Sequence, residues 1–216
     1  MPDDGGRLLA AGPRVGLRPF SLHDADEFTA RARESRELHR PWLFPPCTPE
    51  AYAGYAGALI EDPARAGFLV CEHPRNPEHP RNPADPEYTE HPEYTEHPDH
   101  AERGRIAGFV NINNIVRGAF RSGAIGYGAF AHAAGRGLLT EALGLLVTYA
   151  FGPLELHRLE ANIQPGNTAS RALVRRAGFR LEGFSPAMLF VDGAWRDHER
   201  WAITAPEPRR GAGQRL

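Results

Sequence analysis

A short stretch that contains two glycines and precedes an apolar run has the clearest chemical potential in the sequence. Glycine lets the backbone approach an anion closely, and the first N–H groups of a helix point at such an anion with the helix dipole behind them. A pyrophosphate suits this arrangement, although two glycines before a helix also occur in ordinary tight turns. The residues assigned to the candidate phosphate site are Ala134, Gly135, Arg136, Gly137, Leu138, Leu139 and Thr140.

Three motifs with a recognisable order begin at this stretch. They read GRGLLTEAL at 135–143, HRLEANIQPGNTAS at 157–170 and AGFRLEG at 177–183. Together they resemble the GNAT superfamily of acetyltransferases, and specifically its RimJ/RimL branch of protein N-terminal acetyltransferases. Two further stretches, GFVNINNIVRGAF at 108–120 and LFVDGAWRDHERWAI at 189–203, resemble the RimJ members of that branch. The family loop usually begins with Gln or Arg, so Ala134 is expected to lack one side-chain contact.

The resemblance implies an α/β (α+β) fold of the GNAT type, which binds acetyl-CoA. Such a fold has a mixed, mostly antiparallel central sheet that is splayed between two strands, with helices on its flanks. The two strands here are 125–131 and 159–163, and free N–H groups on the first would bind the pantetheine arm and the developing oxyanion. Further residues implied to contact the cofactor are Ile125, Tyr127, Asn162, Asn167 and Ser170.

Ser170 and Tyr127 are the candidate catalytic acids. The resemblance implies direct attack of the amine on the thioester, and Ser170 matches the family position that protonates the leaving thiolate. Tyr127 is a second candidate, although a tyrosine in a strand is often a packing residue. Ser170 also suits the first turn of a helix, and Asn167 suits an N-cap, so structural roles remain open for both.

The general base is less evident. Glu160 and His132 are candidates, whereas Glu141 suits a first-turn partner of the helix dipole. An α-amine has a pKa near 7.7–8.0, so a fair fraction is already neutral and water is able to carry the proton.

The acceptor side is expected to include residues that resemble RimJ positions, namely Trp42, Asn111, Asn114 and Arg117. Trp42 is equally suited to anchor the core. The acceptor implied by the resemblance is the N-terminal α-amine of a ribosomal protein. The alternatives are a small-molecule amine, such as an antibiotic or a polyamine, and a non-catalytic acyl-CoA-binding or ribosome-assembly protein. We expect no nucleic-acid specificity, and either a monomer or a homodimer.

Strands and helices that position these residues follow from hydrophobic periodicity and turn signals. Strands are predicted at 15–20, 67–72, 106–116, 124–131, 157–164, 179–191 and 194–204. Helices are predicted from Ser21 to about Arg40, at 49–61, at 140–151, and between Asn167 and Gly178. The dipeptide Asp192-Gly193 favours a hairpin turn between the last two strands.

One segment, at 73–104, has a different composition from the rest. It repeats PEYTEH and is rich in proline, and its three arginines against eight acids give a local balance of −5. Such a composition is typical of a disordered insert. The histidines also suit a metal site, but a repeat expansion in a surface loop explains them at lower entropic cost. They are His73, His79, His91, His97 and His100.

The remaining composition favours one globular domain. The 216 residues are 41% hydrophobic and carry a net charge of −2, and no run approaches the roughly 20 apolar residues of a membrane helix. We therefore expect a cytoplasmic protein with a flexible leader at 1–13, one domain at 14–205 and a flexible tail at 206–216. Cys47 and Cys71 lack metal-ligand spacing and are expected to be reduced thiols, and no metal is expected.

Overall fold

The computed structural model describes residues 7–73 and 104–206, in which eight strands form one sheet with helices on both faces. The strands are β1 (Ala10–Ala11), β2 (Val15–Pro19), β3 (Ala66–Glu72), β4 (Arg105–Val116), β5 (Ser122–Ala129), β6 (Arg158–Ile163), β7 (Arg180–Val191) and β8 (Ala194–Thr204). Their order in the sheet is β1-β2-β3-β4-β5-β6-β8-β7. Within the described part of the chain, the β5–β6 pair is parallel and the other pairs are antiparallel, which confirms the predicted mixed sheet.

Two layers of helices cover the faces of this sheet. The helices are α1 (Ala25–Glu34), α2 (Arg36–His39), α3 (Pro49–Glu61), α4 (Leu138–Phe151) and α5 (Thr168–Arg176), with 3₁₀ turns at Leu22–Asp24 and Ala131–Ala133. One core cluster joins α4 and α5 to the sheet through residues such as Leu143, Val174 and Leu159. The other joins α1 and α3 to the opposite face through Phe28 and Tyr52. We call these the α4/α5 face and the α1/α3 face.

The feature that matters for function is the separation of β5 from β6. Their parallel register pairs end at Ala124 with Glu160, although β5 continues to Ala129 and β6 to Ile163. The antiparallel ladder between β4 and β5 runs on to Ala129, so β5 stays with β4 while it leaves β6. The predicted splay is therefore confirmed, and it opens a gap at the carboxyl ends of both strands.

The local signals in the sequence account for most helix ends. Thr48 caps α3 by accepting a hydrogen bond from the N–H of Ala51, with Pro49 in the first turn. Asn167 caps α5 in the same way. Asp192 and Gly193 both have positive φ, at 49° and 74°, as the predicted hairpin turn requires.

The single helix predicted from Ser21 to about Arg40 is wrong in one respect. The chain forms a 3₁₀ turn that Ser21 caps and then two helices, α1 and α2, which are divided at Ser35. The Ser35 hydroxyl donates to the carbonyl of Arg31 at 2.6 Å and accepts the N–H of Ala131 at 2.8 Å. Hydrogen bonds from a serine to the backbone compete with a continuous helix, and here they also tie the helix to the end of β5.

The predicted flexible leader does not extend to residues 10–11, because these form β1 and pair with β2. The repeat segment lies outside the described residues except at His73 and Gly104. Cys47 and Cys71 are both free thiols, as predicted. None of the helices in residues 7–73 and 104–206 is long and apolar enough to cross a membrane.

Candidate active site

The gap between β5 and β6 exposes backbone donors on its β5 side. Phe130 donates its N–H to Ala107, next to the last β4–β5 pair. Because successive residues of a strand alternate in direction, the N–H groups of Tyr127 and Ala129 point the other way, into the gap. An extended polar arm that lies in the gap would therefore find strand-like hydrogen-bonding partners along β5.

Tyr127 and Ser170 meet across this gap. The Tyr127 hydroxyl and the Ser170 hydroxyl are 2.6 Å apart, so β5 and the first turn of α5 are joined where the two strands have separated. Burial raises the pKa of Tyr127 to about 12, against the opposing effect of its hydrogen bond with Ser170. Either hydroxyl is able to donate this hydrogen bond, and in both arrangements the pair places an O–H group at the gap.

Asn167 fixes the position of Ser170. Its Oδ1 atom accepts the backbone N–H of Ser170 at 3.0 Å, which is the N-cap interaction that the sequence predicts. A serine in the third helical position is thus held by its backbone, and its side chain stays available to the gap. Asn162, which precedes this loop on β6, has a buried Oδ1 atom without a partner among the described residues. Ser170 and Asn162, two of the predicted cofactor contacts, therefore each have a polar side-chain atom with which a cofactor could interact.

The predicted phosphate site forms a loop of the expected shape. Gly135 and Gly137 have φ values of 74° and 75°, in the left-handed region that glycine adopts without strain. Helix α4 begins directly after Gly137, so the N–H groups of Leu138, Leu139 and Thr140 have no partner within the helix. These donors and the positive end of the helix dipole can hold a pyrophosphate. We call residues 134–140 the cradle.

Arg14 braces the cradle from behind, a role that sequence reasoning missed. Its guanidinium donates to the carbonyl of Arg136 at 3.0 Å and to that of Gly137 at 3.3 Å. Glu141 holds Arg14 in turn, because Oε2 accepts from Arg14 Nε at 2.9 Å and Oε1 accepts the N–H groups of Arg14 and Val15. With the carbonyls of Arg136 and Gly137 turned to Arg14, the N–H groups at the start of α4 are left to face an anion. No periodic signal marks Arg14, since it lies in the loop before β2.

Replacing Glu141 with glutamine is expected to weaken binding of a CoA-type ligand several-fold and to lower stability at neutral pH. Partial burial acts to raise the pKa of Glu141, but the hydrogen bonds from Arg14 and Val15 outweigh burial and lower it. A carboxyl with a lowered pKa contributes stability above its unfolded pKa of about 4.3 and loses it as the pH falls through the folded pKa. The stability difference between the native protein and Glu141→Gln should therefore shrink below about pH 4, as measured by urea unfolding. A difference that is constant from pH 3 to pH 7 would contradict this account.

The side chains of Arg136 and Ala134 have little to contribute to phosphate binding in the cradle. The Arg136 guanidinium forms a bidentate ion pair with Glu72, with its Nη1 atom 2.9 Å from Oε2, so it is anchored to β3. Ala134 has an extended conformation, and its N–H is donated to the carbonyl of Ala131. A pyrophosphate held in the cradle would therefore depend mainly on its backbone donors.

The segment after α2 covers the other side of the gap, on the α1/α3 face. Leu43 packs so closely on Gly128 that a Cβ atom there would lie 2.6 Å from the leucine Cδ2 atom. Trp42 lies over Gly166, which follows β6, with an equivalent separation of 2.9 Å. Because Leu43 contacts β5 and Trp42 contacts the β6–α5 loop, this segment bridges the gap. Trp42 therefore lies beside the β6–α5 loop at the gap.

Asn111 also lies on the α1/α3 face, but the other two predicted acceptor residues do not reach the gap. Asn111 is buried and donates to the hydroxyl of Tyr55 on α3. Asn114 and Arg117 lie beyond the pair of Asn113 with Ala124, at the closed end of the two strands. Arg117 donates there to the carbonyl of Leu154, and Asn114 is exposed with a φ of 52°.

The candidate bases are poorly suited to proton abstraction. Glu160 accepts from Arg158 Nε at 2.8 Å and belongs to the last register pair before the gap. His132 has two buried ring nitrogens without a hydrogen bond in the described structure. Burial and the charges of neighbouring arginines lower the pKa of His132 to about 3, so the imidazole is neutral and weakly basic. These arginines are Arg105, Arg31 and Arg136. Proton removal by water fits the site better.

Known proteins share this sequence pattern. The family model described as "Acetyltransferase (GNAT) domain" matches residues 14–180. A probable N-acetyltransferase, YjcK from Bacillus subtilis, is 40% identical over 103 residues, which cover 48% of this chain and 57% of the relative. The ribosomal protein uS5-alanine N-acetyltransferase of Escherichia coli is 39% identical over 102 residues, which cover 47% and 53%. The matches thus span about half the length of these curated relatives.

Solved structures extend the likeness to nearly the whole chain. RimJ of Mycobacterium smegmatis, solved in complex with CoA-disulfide, superposes with a TM-score of 0.72 at 28% identity and covers 93% of this chain and 89% of its own. RimL, named as a ribosomal L7/L12 α-N-protein acetyltransferase, gives a TM-score of 0.71 at 16% identity, over 92% and 94%, and shows the fold alone. The chain belongs to the GNAT acetyltransferase family.

Proposed function

We propose that this chain transfers the acetyl group of acetyl-CoA to the N-terminal α-amine of a protein, with a ribosomal protein as the acceptor. The observation that carries the proposal is the Tyr127–Ser170 hydroxyl pair, which bridges the gap at 2.6 Å beside free β5 donors. A purely structural gap would have no need for a proton donor at this position. The pair stands on the α4/α5 side, together with the cradle, and leaves the α1/α3 side for the acceptor.

Each part of the site has a separate task in this reaction. Acetyl-CoA supplies an activated thioester, and the N–H groups of the cradle hold its pyrophosphate. The N–H groups of Tyr127 and Ala129 orient the extended arm and face the oxygen that gains negative charge during attack. Ser170, which is hydrogen-bonded to Tyr127, protonates the thiolate that leaves. The amine loses its proton to water, since an α-amine is already partly neutral near pH 7.7–8.0.

The choice of a peptide amine has two supports. The first is the likeness to relatives whose names describe ribosomal-protein N-acetyltransferases, at about 40% identity over half of this chain. The second is the acceptor side, where the segment with Trp42 and Leu43 lies over Gly166 and Gly128 next to α2. An extended peptide that ends in a free amine fits an acceptor side of this kind. A cytoplasmic location belongs to the same proposal.

The test is mass spectrometry of a mixed acceptor panel after incubation with the protein and acetyl-CoA. The panel holds N-terminal peptides of ribosomal proteins, the same peptides with a blocked N-terminus, peptides with an internal lysine, spermidine and an aminoglycoside. A gain of 42 Da, the mass that an acetyl group adds in place of hydrogen on nitrogen, is expected on the free α-amines alone. The blocked peptides control for acetylation of side chains.

Other outcomes assign the site to another acceptor class. A gain confined to spermidine or the aminoglycoside would replace the peptide proposal with small-amine acetylation. Binding of CoA with no gain on any acceptor in the panel would favour a non-catalytic acyl-CoA-binding role. In the second case, Ser170→Ala should also leave CoA binding unchanged.

A further inference from the structure

A small pocket on the α1/α3 face lies outside the machinery described above. It has a volume of about 140 Å³ and is formed by α1, α2 and the segment after α2. Its polar lining comes from Arg36, His39 and Arg40, and its apolar lining includes Leu43 and Phe44. Within residues 7–73 and 104–206, the side chains that line it include two guanidinium groups and no carboxylate. Such a volume accommodates an acidic side chain with a few waters.

The pocket is connected to the open end of the gap by direct contacts. His39 is 5% exposed and its Nε2 atom lies 2.8 Å from the carbonyl of Ala129, the last residue of β5. Leu43, which lines the pocket, packs on Gly128 in the same strand. The pocket therefore adjoins the end of β5, and a peptide whose amine reaches the gap from this face would place one of its next residues near the pocket.

The His39 side chain lines the pocket and carries one buried polar atom that has no partner in the described residues. A carbonyl only accepts hydrogen bonds, so Nε2 carries the proton and Nδ1 is a lone-pair acceptor. Nδ1 is buried and has no partner in the described residues. A buried acceptor without a donor is costly in a folded protein, which sets this wall of the pocket apart from ordinary protein surface.

The charges around α2 favour an anionic guest. Arg36 and Arg40 are both exposed, and the Arg40 guanidinium stacks 5.8 Å from the centre of the Phe44 ring, which holds it at the pocket. Of the nearby acids, Glu34 pairs with Arg31 at 3.0 Å. Glu37 is exposed and does not line the pocket. Paired guanidinium groups bind carboxylates through charge-assisted hydrogen bonds, and they repel a basic peptide.

We infer that this pocket is the subsite for an acidic side chain of the acceptor peptide, so the enzyme selects protein N-termini that carry Asp or Glu soon after the first residue. The inference rests on the proposed function and narrows its substrate class. A carboxylate in the pocket lies beside Arg36 and Arg40, the two guanidinium groups that line it. Peptides with lysine or arginine at the same position are excluded by repulsion.

The test measures kcat/KM for matched peptides that begin with alanine or serine and carry Glu, Gln or Lys in turn at positions two to six. We expect Glu at one of these positions to raise kcat/KM about tenfold over Gln, as a hydrogen-bonded charge pair in a partly enclosed site does. The double variant Arg36→Gln/Arg40→Gln should remove this preference and leave turnover of the Gln peptide unchanged. Arg180→Gln, on the far edge of the sheet in β7, is the control and should keep the preference.

The possible failures are distinguishable. Equal kcat/KM for Glu and Gln peptides at every position, with transfer to α-amines intact, would overturn the subsite and leave the proposed function standing. A Glu preference that survives in the double variant would also overturn it. Absence of transfer to any peptide, together with transfer to spermidine, would overturn the proposed function itself. Circular dichroism of the variants confirms that the fold is retained, since both arginines are exposed.

Discussion

Replacing Ser170 with alanine is expected to lower kcat by about two to three orders of magnitude, the usual contribution of a positioned acid, and to leave the affinity for acetyl-CoA nearly unchanged. The serine hydroxyl lies 2.6 Å from the Tyr127 hydroxyl across the gap. The backbone N–H that Asn167 accepts survives the change, so the start of α5 is retained. Stopped-flow measurement of acetyl transfer, alongside calorimetric titration with CoA, separates the two quantities.

Tyr127→Phe is the matched variant, because it keeps the ring and removes only the hydroxyl. If Tyr127 acts through Ser170, this variant should lose less activity than Ser170→Ala, and the double variant should be no worse than Ser170→Ala alone. Such non-additivity is expected of two residues that act as a unit. A larger loss in Tyr127→Phe than in Ser170→Ala would instead make the tyrosine the acid. Full activity of Ser170→Ala would remove the pair from the mechanism.

The sequence predicted the framework of the site because its signals are local. Asn167 and Gly178 mark the ends of α5, and Gly135 and Gly137 occupy the two left-handed positions of the cradle. The splay follows from the resemblance to a family, and the strand register confirms it at Ala124. Local signals and family motifs are therefore sufficient to predict the two splayed strands and the loop of the candidate phosphate site.

The acceptor side could not be predicted equally well, since it depends on contacts between distant segments. Asn114 and Arg117 have suitable side chains, but a register position at the closed end of β5 keeps them from the gap. His39 and Arg14 show the opposite case, because neither has a periodic signal and each contacts a residue more than 80 positions away. Such contacts arise only when the helices are packed on the sheet.

The break at Ser35 has the same origin. Propensity favours a continuous helix from Ser21 onward, and serine is a mild exception within it. The hydroxyl accepts the N–H of Ala131 from across the molecule, so the end of α1 is fixed by the strand that it covers. Tertiary contacts decide where α2 begins, and with it where His39 meets β5. The position of the proposed subsite for an acidic side chain therefore depends on a long-range interaction that no local sequence pattern indicates.

Leu139→Pro is expected to weaken CoA binding by about tenfold to a hundredfold, the value of one hydrogen bond to a charged group. Proline removes the N–H of the second helical residue, and the first turn of a helix tolerates proline because its N–H groups have no helical partner. Leu139 is only partly buried, so its side chain adds little to the core. Calorimetric titration with CoA measures the loss.

Leu139→Ala is the control for the side chain, since it shortens the residue and keeps the backbone donor. It should bind CoA within about twofold of the native protein, because no hydrogen bond is removed. Thermal unfolding of both variants shows whether α4 is retained. Because Arg136 is anchored to Glu72 and Ala134 has no donor side chain, the backbone is left as the main source of affinity for the pyrophosphate. Equal binding by the proline and alanine variants would therefore mean that the phosphates are held by side chains, and the cradle would lose its function.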